Sequence, residues 1–169
     1  MTPDEGENTD ETRPEDSMGS DLTISYTVAL AQDDLVSIDF EVSTYSQGAA
    51  HPNSYAETLN FDLKNGKPLK FADLFKPGAK YLQTIANYCI ADLKKQATEK
   101  GLMPEEIDKG AAAKADNYIG WTITKKGVGI EFDPYQVGPY AAGPQFVLVP
   151  YSNLKDLINP DGPVGQFAK

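Results

Sequence analysis

Leu22-Thr23-Ile24-Ser25-Tyr26-Thr27-Val28-Ala29-Leu30 alternates apolar with small side chains, and after Gln32-Asp33-Asp34 the run Leu35-Val36-Ser37-Ile38-Asp39-Phe40-Glu41-Val42 alternates again. A period of two belongs to a strand, because successive side chains leave the pleated backbone on opposite faces. The pattern predicts an antiparallel hairpin closed by a short polar turn. It places Val36, Ile38, Phe40 and Val42 on the buried face and Ser37, Asp39, Glu41 and Ser43 outside. Tyr55, Glu57, Leu59, Phe61 and Leu63 predict a third strand. Asn65-Gly66 follows it, and this pair suits a type I′ turn, in which both central residues take positive φ. Lys67 to Phe71 would be the return strand.

After these strands the period changes. Beyond Pro77-Gly78, the residues Leu82, Ile85, Ala86, Cys89, Ile90 and Leu93 recur at three- and four-residue steps, which predicts a helix with one apolar stripe. Lys94, Lys95 and Lys100 suit the negative end of its dipole, and Gly101 can close it. Pro104-Glu105-Glu106 resembles a second helix start, and Lys109 to Asn117 reads as an irregular linker. Tyr118, Trp121 and Ile123, then Val128, Ile130 and Phe132 across Lys125-Lys126-Gly127, predict a second hairpin. Phe146, Leu148 and Pro150 mark a last strand, and Asn153 to Ile158 a short terminal helix. There is no alternation of strand and helix, so a parallel sheet is not expected. The predicted class is α+β: an antiparallel sheet with one long central helix and a short C-terminal helix packed on it.

The chain has 169 residues, enough for one ordinary domain. Its net charge of −10 is uneven, since residues 1–21 hold eight acids and one arginine. Met1 and Met18 are the large apolar side chains of that stretch, too few to offset the entropy of ordering it. We therefore expect a disordered acidic spacer over 1–21 and a single domain over 22–169. An acidic chain is a poor match for a phosphate backbone, so no nucleic-acid partner is expected. No apolar run approaches the ~20 residues of a bilayer span. One Cys and one His exclude an internal disulfide and most His/Cys metal sites. Cys89 lies on the helical stripe and reads as a small core residue.

Two segments exceed what hairpins need. One runs Tyr45-Ser46-Gln47-Gly48-Ala49-Ala50-His51-Pro52-Asn53, and the other extends from Phe132 to Pro144 through Pro134, Tyr135, Gly138, Pro139, Tyr140 and Gly143. Long loops of this composition carry function more often than short ones do.

At these residues the chain resembles a family. Leu35-Val36-Ser37-Ile38, Gly48-Ala49-Ala50-His51-Pro52-Asn53, Asn60-Phe61-Asp62-Leu63-Lys64-Asn65-Gly66-Lys67, Leu69, Asp73-Leu74-Phe75, Gly127 to Phe132, Tyr135 to Gly143 and Val149-Pro150 occur in the order of the C-terminal domain of RsiV-type anti-sigma factors. The same domain is found in peptidoglycan deacetylases of the PdaC type and is catalogued as domain of unknown function 3298. The resemblance spans about Leu35 to Ile158 and departs at Ala49, where the family carries glycine. It implies an extracytoplasmic domain of an envelope protein, lipid-anchored in some relatives. In the anti-sigma factors the domain binds lysozyme. In the deacetylases hydrolysis belongs to a separate domain, so the resemblance carries over no catalytic residue, metal or cofactor.

Two functions are weighed. A binding module would present rigid amphipathic side chains, and Tyr45, His51, Asn53, Tyr55, Tyr135 and Tyr140 are the candidates, with a lysozyme-like protein or a cell-wall glycan as partner. The alternative is a deacetylase-like hydrolase of cell-wall carbohydrate with His51 as base, served by Ser46 or Ser54 and Asp133. His51 is expected to latch its loop to a tyrosine hydroxyl of the second loop, which requires the two loops to meet. Asn159-Pro160-Asp161-Gly162 lacks the full EF-hand ligand set.

Overall fold

A computed structural model describes residues 19–169. The spacer expected over 1–21 falls almost entirely outside the described residues, and Asp21 is the first residue of a strand. Strands β1 (Asp21–Gln32), β2 (Leu35–Tyr45), β3 (Asn53–Asp62) and β4 (Lys67–Pro68) form one antiparallel sheet in that order. Helix α1 (Tyr81–Lys100) and helix α2 (Pro104–Gly110) follow. Strands β5 (Gly120–Ile123), β6 (Gly127–Phe132) and β7 (Gln145–Pro150) make a second antiparallel sheet, and α3 (Tyr151–Leu154) is a single turn after it. The class is α+β as expected, built on two sheets rather than one.

The main core lies around α1 and the second sheet. Ile85, Ala86, Cys89, Leu93 and Ala97 are the buried side of α1, with Leu82 and Ile90 half-buried beside them. Gly101 takes φ +66 and ends the helix, and the Leu102 amide returns to the Ala97 carbonyl at 2.9 Å. Burial pushes the Cys89 thiol up to about 12, with the Asp92 charge adding to it, so at neutral pH it is a packed thiol.

Four expectations need correction. The two-residue turn with both φ values positive is Asp33-Asp34 (φ 53 and 62), not Asn65-Gly66. Aspartate is among the few side chains that tolerate this region. Asp62 pairs with Lys67, so Leu63 to Gly66 form a four-residue loop. The Asn65 amide and side chain both donate to the Asp62 carboxylate, at 2.9 and 2.6 Å. Phe71 opens a 3-10 turn instead of closing a strand, and the helix expected over Asn153 to Ile158 is the earlier and shorter α3.

The fourth correction concerns the faces of the first sheet. The face carrying Ser37 of β2 and its cross-strand neighbours on β3 meets the second sheet: Ser37 is fully buried, and Asn60 and Asp62 are nearly so. The apolar face points away, with Leu22, Ile24, Tyr26 and Val28 exposed and Val36, Ile38 and Phe40 half-buried; of the side chains expected inside, Val42 is buried. The reason lies at the rim of the second sheet, where the outer edge of β5 needs partners for its backbone. Ser37 donates to Asn60 Oδ1 (2.7 Å) and accepts from the Ile123 amide (2.8 Å), while Asn60 Nδ2 donates to the Trp121 carbonyl (2.8 Å). The small polar side chains of the first sheet therefore complete the edge of the second. A bulge at Ala29 lets Leu30 pair with Ser37, which turns this one leucine of β1 into the core.

Candidate functional site

Both unusual loops leave the ends of strands; the first turns through one residue of positive φ, Gly48, and the second through two, Tyr135 and Gly143. In the first, the Ala49 amide donates to the Ser46 carbonyl (2.9 Å) and Gly48 sits at φ +87. In the second, the Gln136 amide donates to the Asp133 carbonyl (3.0 Å), with Pro134 and Tyr135 between them. Tyr135 takes φ +71 at a turn position that normally selects glycine. A bulky side chain there costs on the order of 1–3 kcal/mol unless surrounding structure imposes it. Gln136 supplies that structure: its side chain accepts from the Asp133 amide and donates to the carbonyls of Gly110 and Asn117. The Asp133 carboxylate in turn accepts from the Ala56 amide of β3 at 2.9 Å. The turn is thus fastened to α2, to the linker and to the first sheet.

This scaffold brings the two loops together. The rings of His51 and Tyr140 stack with centroids 4.0 Å apart and 23° between planes. Tyr135 lies 5.5 Å from Tyr140 and 6.5 Å from His51, centroid to centroid. His51 Nδ1 donates to the Pro52 carbonyl (2.9 Å), which also accepts from the Tyr140 hydroxyl (2.9 Å). That leaves Nε2 as acceptor, and the Tyr135 hydroxyl faces it at 3.5 Å. Tyr135 remains 66% exposed. The result is a small aromatic platform carrying hydroxyl and imidazole edges, suited to apolar contact combined with hydrogen bonding.

The other sequence candidates lie elsewhere. Asn53 starts β3 opposite Thr44, whose hydroxyl donates to the Asn53 carbonyl at 3.3 Å, and Tyr45 ends β2. These two frame the first loop without joining the stack. Tyr55 pairs with Val42 and belongs to the apolar face of the first sheet. Ser46, Ser54 and Asp133 make no hydrogen bond to His51: Ser54 bonds Ser43, and Asp133 holds the β3 backbone.

Sequence reasoning missed a second polar cluster. Glu131 on β6 faces Asp39 on β2 across the seam between the sheets, with Asp133 and Glu41 nearby. Burial, the hydrogen bond to Asp39 and the charges of Asp39, Asp133 and Glu41 push the Glu131 carboxyl up to about 8. At neutral pH the protonated form of Glu131 is therefore favoured. The only signal in the sequence was the pair Asp39 and Glu41, two apart on β2, with Glu131 near the end of β6, which reads equally well as a solvated face.

Comparison with known proteins fits this architecture. The sequence profile of the DUF3298 family, described as a protein of unknown function, matches residues 72–152. The peptidoglycan-N-acetylmuramic acid deacetylase PdaC of Bacillus subtilis (strain 168) is 29% identical over 142 residues, covering 82% of this chain and 29% of its own length. The immunogenic protein MPT64 of Mycobacterium tuberculosis (strain ATCC 25618 / H37Rv) is 27% identical over 111 residues, covering 66% of this chain and 47% of that protein. The chain therefore spans less than half the length of these curated relatives. A crystal structure of a DUF3298 family member from Bacteroides fragilis superposes with a TM-score of 0.68 at 25% identity, over 89% of this chain and 58% of the other. A DUF3298 family protein from Pseudomonas aeruginosa shares the fold at a TM-score of 0.59 and 19% identity, over 82% of this chain and 62% of that one. With the profile match reaching from the turn before α1 to the start of α3, residues 72–152 belong to the DUF3298 family.

Proposed function

We propose that this chain is a non-catalytic, extracytoplasmic binding domain of a bacterial envelope protein, and that the His51–Tyr135–Tyr140 platform contacts its ligand. One observation carries the reading. A tyrosine occupies a strained positive-φ position, is braced there by three hydrogen bonds of Gln136, and yet holds its ring in solvent beside a stacked His–Tyr pair. Backbone strain retained without a packing benefit points to a ligand. The ligand class is a lysozyme-like protein or a cell-wall glycan, since tyrosine and histidine platforms serve both. A net charge of −10 favours a basic protein over an anionic polymer. The likeness to a deacetylase of peptidoglycan supports a place outside the cytoplasm. Among the described residues no helix is long and apolar enough to cross a membrane.

The hydrolase alternative finds less support. His51 is exposed, its Nδ1 is engaged by a backbone carbonyl, and the hydroxyl facing Nε2 belongs to a tyrosine rather than to a serine. Calorimetric titration with lysozyme and with soluble peptidoglycan fragments tests both readings. One of the two should bind, and Tyr135→Ala should weaken that binding at least tenfold, about 1.4 kcal/mol, with an unchanged circular dichroism spectrum. Binding by neither probe, or binding untouched by Tyr135→Ala, overturns the proposal. Turnover of a glycan substrate that His51→Ala abolishes establishes the hydrolase instead.

A further inference from the structure

We propose that the apolar face of the first sheet is the interface of a homodimer, two copies stacking sheet on sheet about a two-fold axis. The proposal is independent of the binding site above. Strand register puts Ile24, Val42 and Tyr55 in one row across the sheet, and Val28, Ile38 and Leu59 in another. Among the described residues, Leu22, Ile24, Tyr26, Val28, Tyr55 and Leu59 are six of the eleven exposed large apolar residues, and all lie on this face. Ile24 is 57% and Tyr26 68% exposed, values foreign to the inner face of a two-layer domain. The six side chains expose on the order of 600 Å², at the upper limit of what a monomer leaves open.

Nothing among the described residues covers this surface, because α1 and the second sheet pack elsewhere. Residues 1–18 carry seven acids and two large apolar side chains, Met1 and Met18, the wrong composition for a cover. A lipid surface is also a poor occupant. Glu57 is the charged residue in these strand rows, there is no lysine or arginine among them, and an acidic chain is repelled by anionic headgroups.

A second copy satisfies each condition. An almost uncharged face is self-compatible. Two such faces bury about 1,200 Å² together, the threshold of a specific interface, and the half-buried Val36, Ile38 and Phe40 would add to it. Sheets stacked about 10 Å apart interdigitate side chains as a β-sandwich does. Because both copies carry −10, added salt should tighten the dimer by screening their repulsion.

Sedimentation equilibrium of the chain between about 1 and 100 µM, at low and high salt, tests this. The expected result is a monomer–dimer equilibrium that strengthens with salt. Ile24→Lys should weaken it at least tenfold, while Leu63→Lys, an exposed apolar residue in the β3–β4 loop, should leave it unchanged. Position 24 is exposed, so the lysine variant should keep the wild-type circular dichroism spectrum; Ile24→Ser repeats the test without adding charge. A monomer throughout the range overturns the proposal and assigns the face to another cover. A dimer indifferent to both position-24 variants overturns it too, as does open-ended growth, which a two-fold interface cannot give.

Discussion

Ser37→Ala should destabilise the fold far more than the loss of one surface hydroxyl would. Ser37 is fully buried between the sheets, donating to Asn60 at 2.7 Å and receiving the Ile123 amide at 2.8 Å. Alanine leaves two buried groups without partners, the Ile123 N–H and Asn60 Oδ1. Each costs roughly 1–3 kcal/mol when orphaned, so the expected loss is about 2–5 kcal/mol. For a domain of this size that lowers the melting midpoint by about 5–15 °C. Urea unfolding followed by Trp121 fluorescence gives the loss as a shift in midpoint at constant slope. Asn60→Ala should cost a similar amount, since it strips the Trp121 carbonyl of its donor. The double variant should cost less than the sum by about 1 kcal/mol or more, because each single change already breaks the bond between the two residues. A loss below about 0.5 kcal/mol for Ser37→Ala, or additive single changes, would refute the idea that these side chains complete the edge of β5.

Three further perturbations follow from the same structure. Leu93→Ala removes a fully buried residue of α1 and should cost about 2–5 kcal/mol in urea unfolding; an unchanged midpoint would place Leu93 outside the core. Glu131 is protonated in the folded state up to about 8, well above its unfolded value, so the stability it supports is fully present in acid and is lost as pH rises through 8. Glu131→Gln should flatten that decline, and melting curves from pH 5 to 9 that fall equally in both proteins would count against the raised Glu131 carboxyl. Tyr135→Gly relieves the positive φ, so the melting midpoint should hold or rise while ligand affinity falls; a destabilised Tyr135→Gly protein would mean that the ring serves packing.

Much of the architecture was legible in local pattern. Period-two alternation located β1, β2 and β3, helical spacing located α1 and its buried side, and Gly101 marked its end. The meeting of the two long loops was readable as well, because Gly- and Pro-rich segments at strand ends can keep a shape only by bracing one another, and His51 stacks on Tyr140 as that requires. These features depend on neighbours in sequence or on what a short segment cannot do alone.

What the chain left open is where long-range partners decide. Alternation reports which side chains share a face, but not which face meets the rest of the molecule. Burying the polar face of β2 and β3 makes sense only once the backbone edge of β5, some sixty to ninety residues later, is there to be bonded by Ser37 and Asn60. The same holds for the positive φ of Tyr135, imposed by the bonds of Gln136 to Gly110 and Asn117, and for the raised carboxyl of Glu131, set by Asp39 across the seam. Local pattern was enough for the long strands, the central helix, the α+β class and the loops that meet. Which faces are buried, which residue bears the strain and which carboxyl keeps its proton were decided by tertiary structure alone, because each depends on hydrogen-bond partners and dielectric surroundings supplied by distant segments.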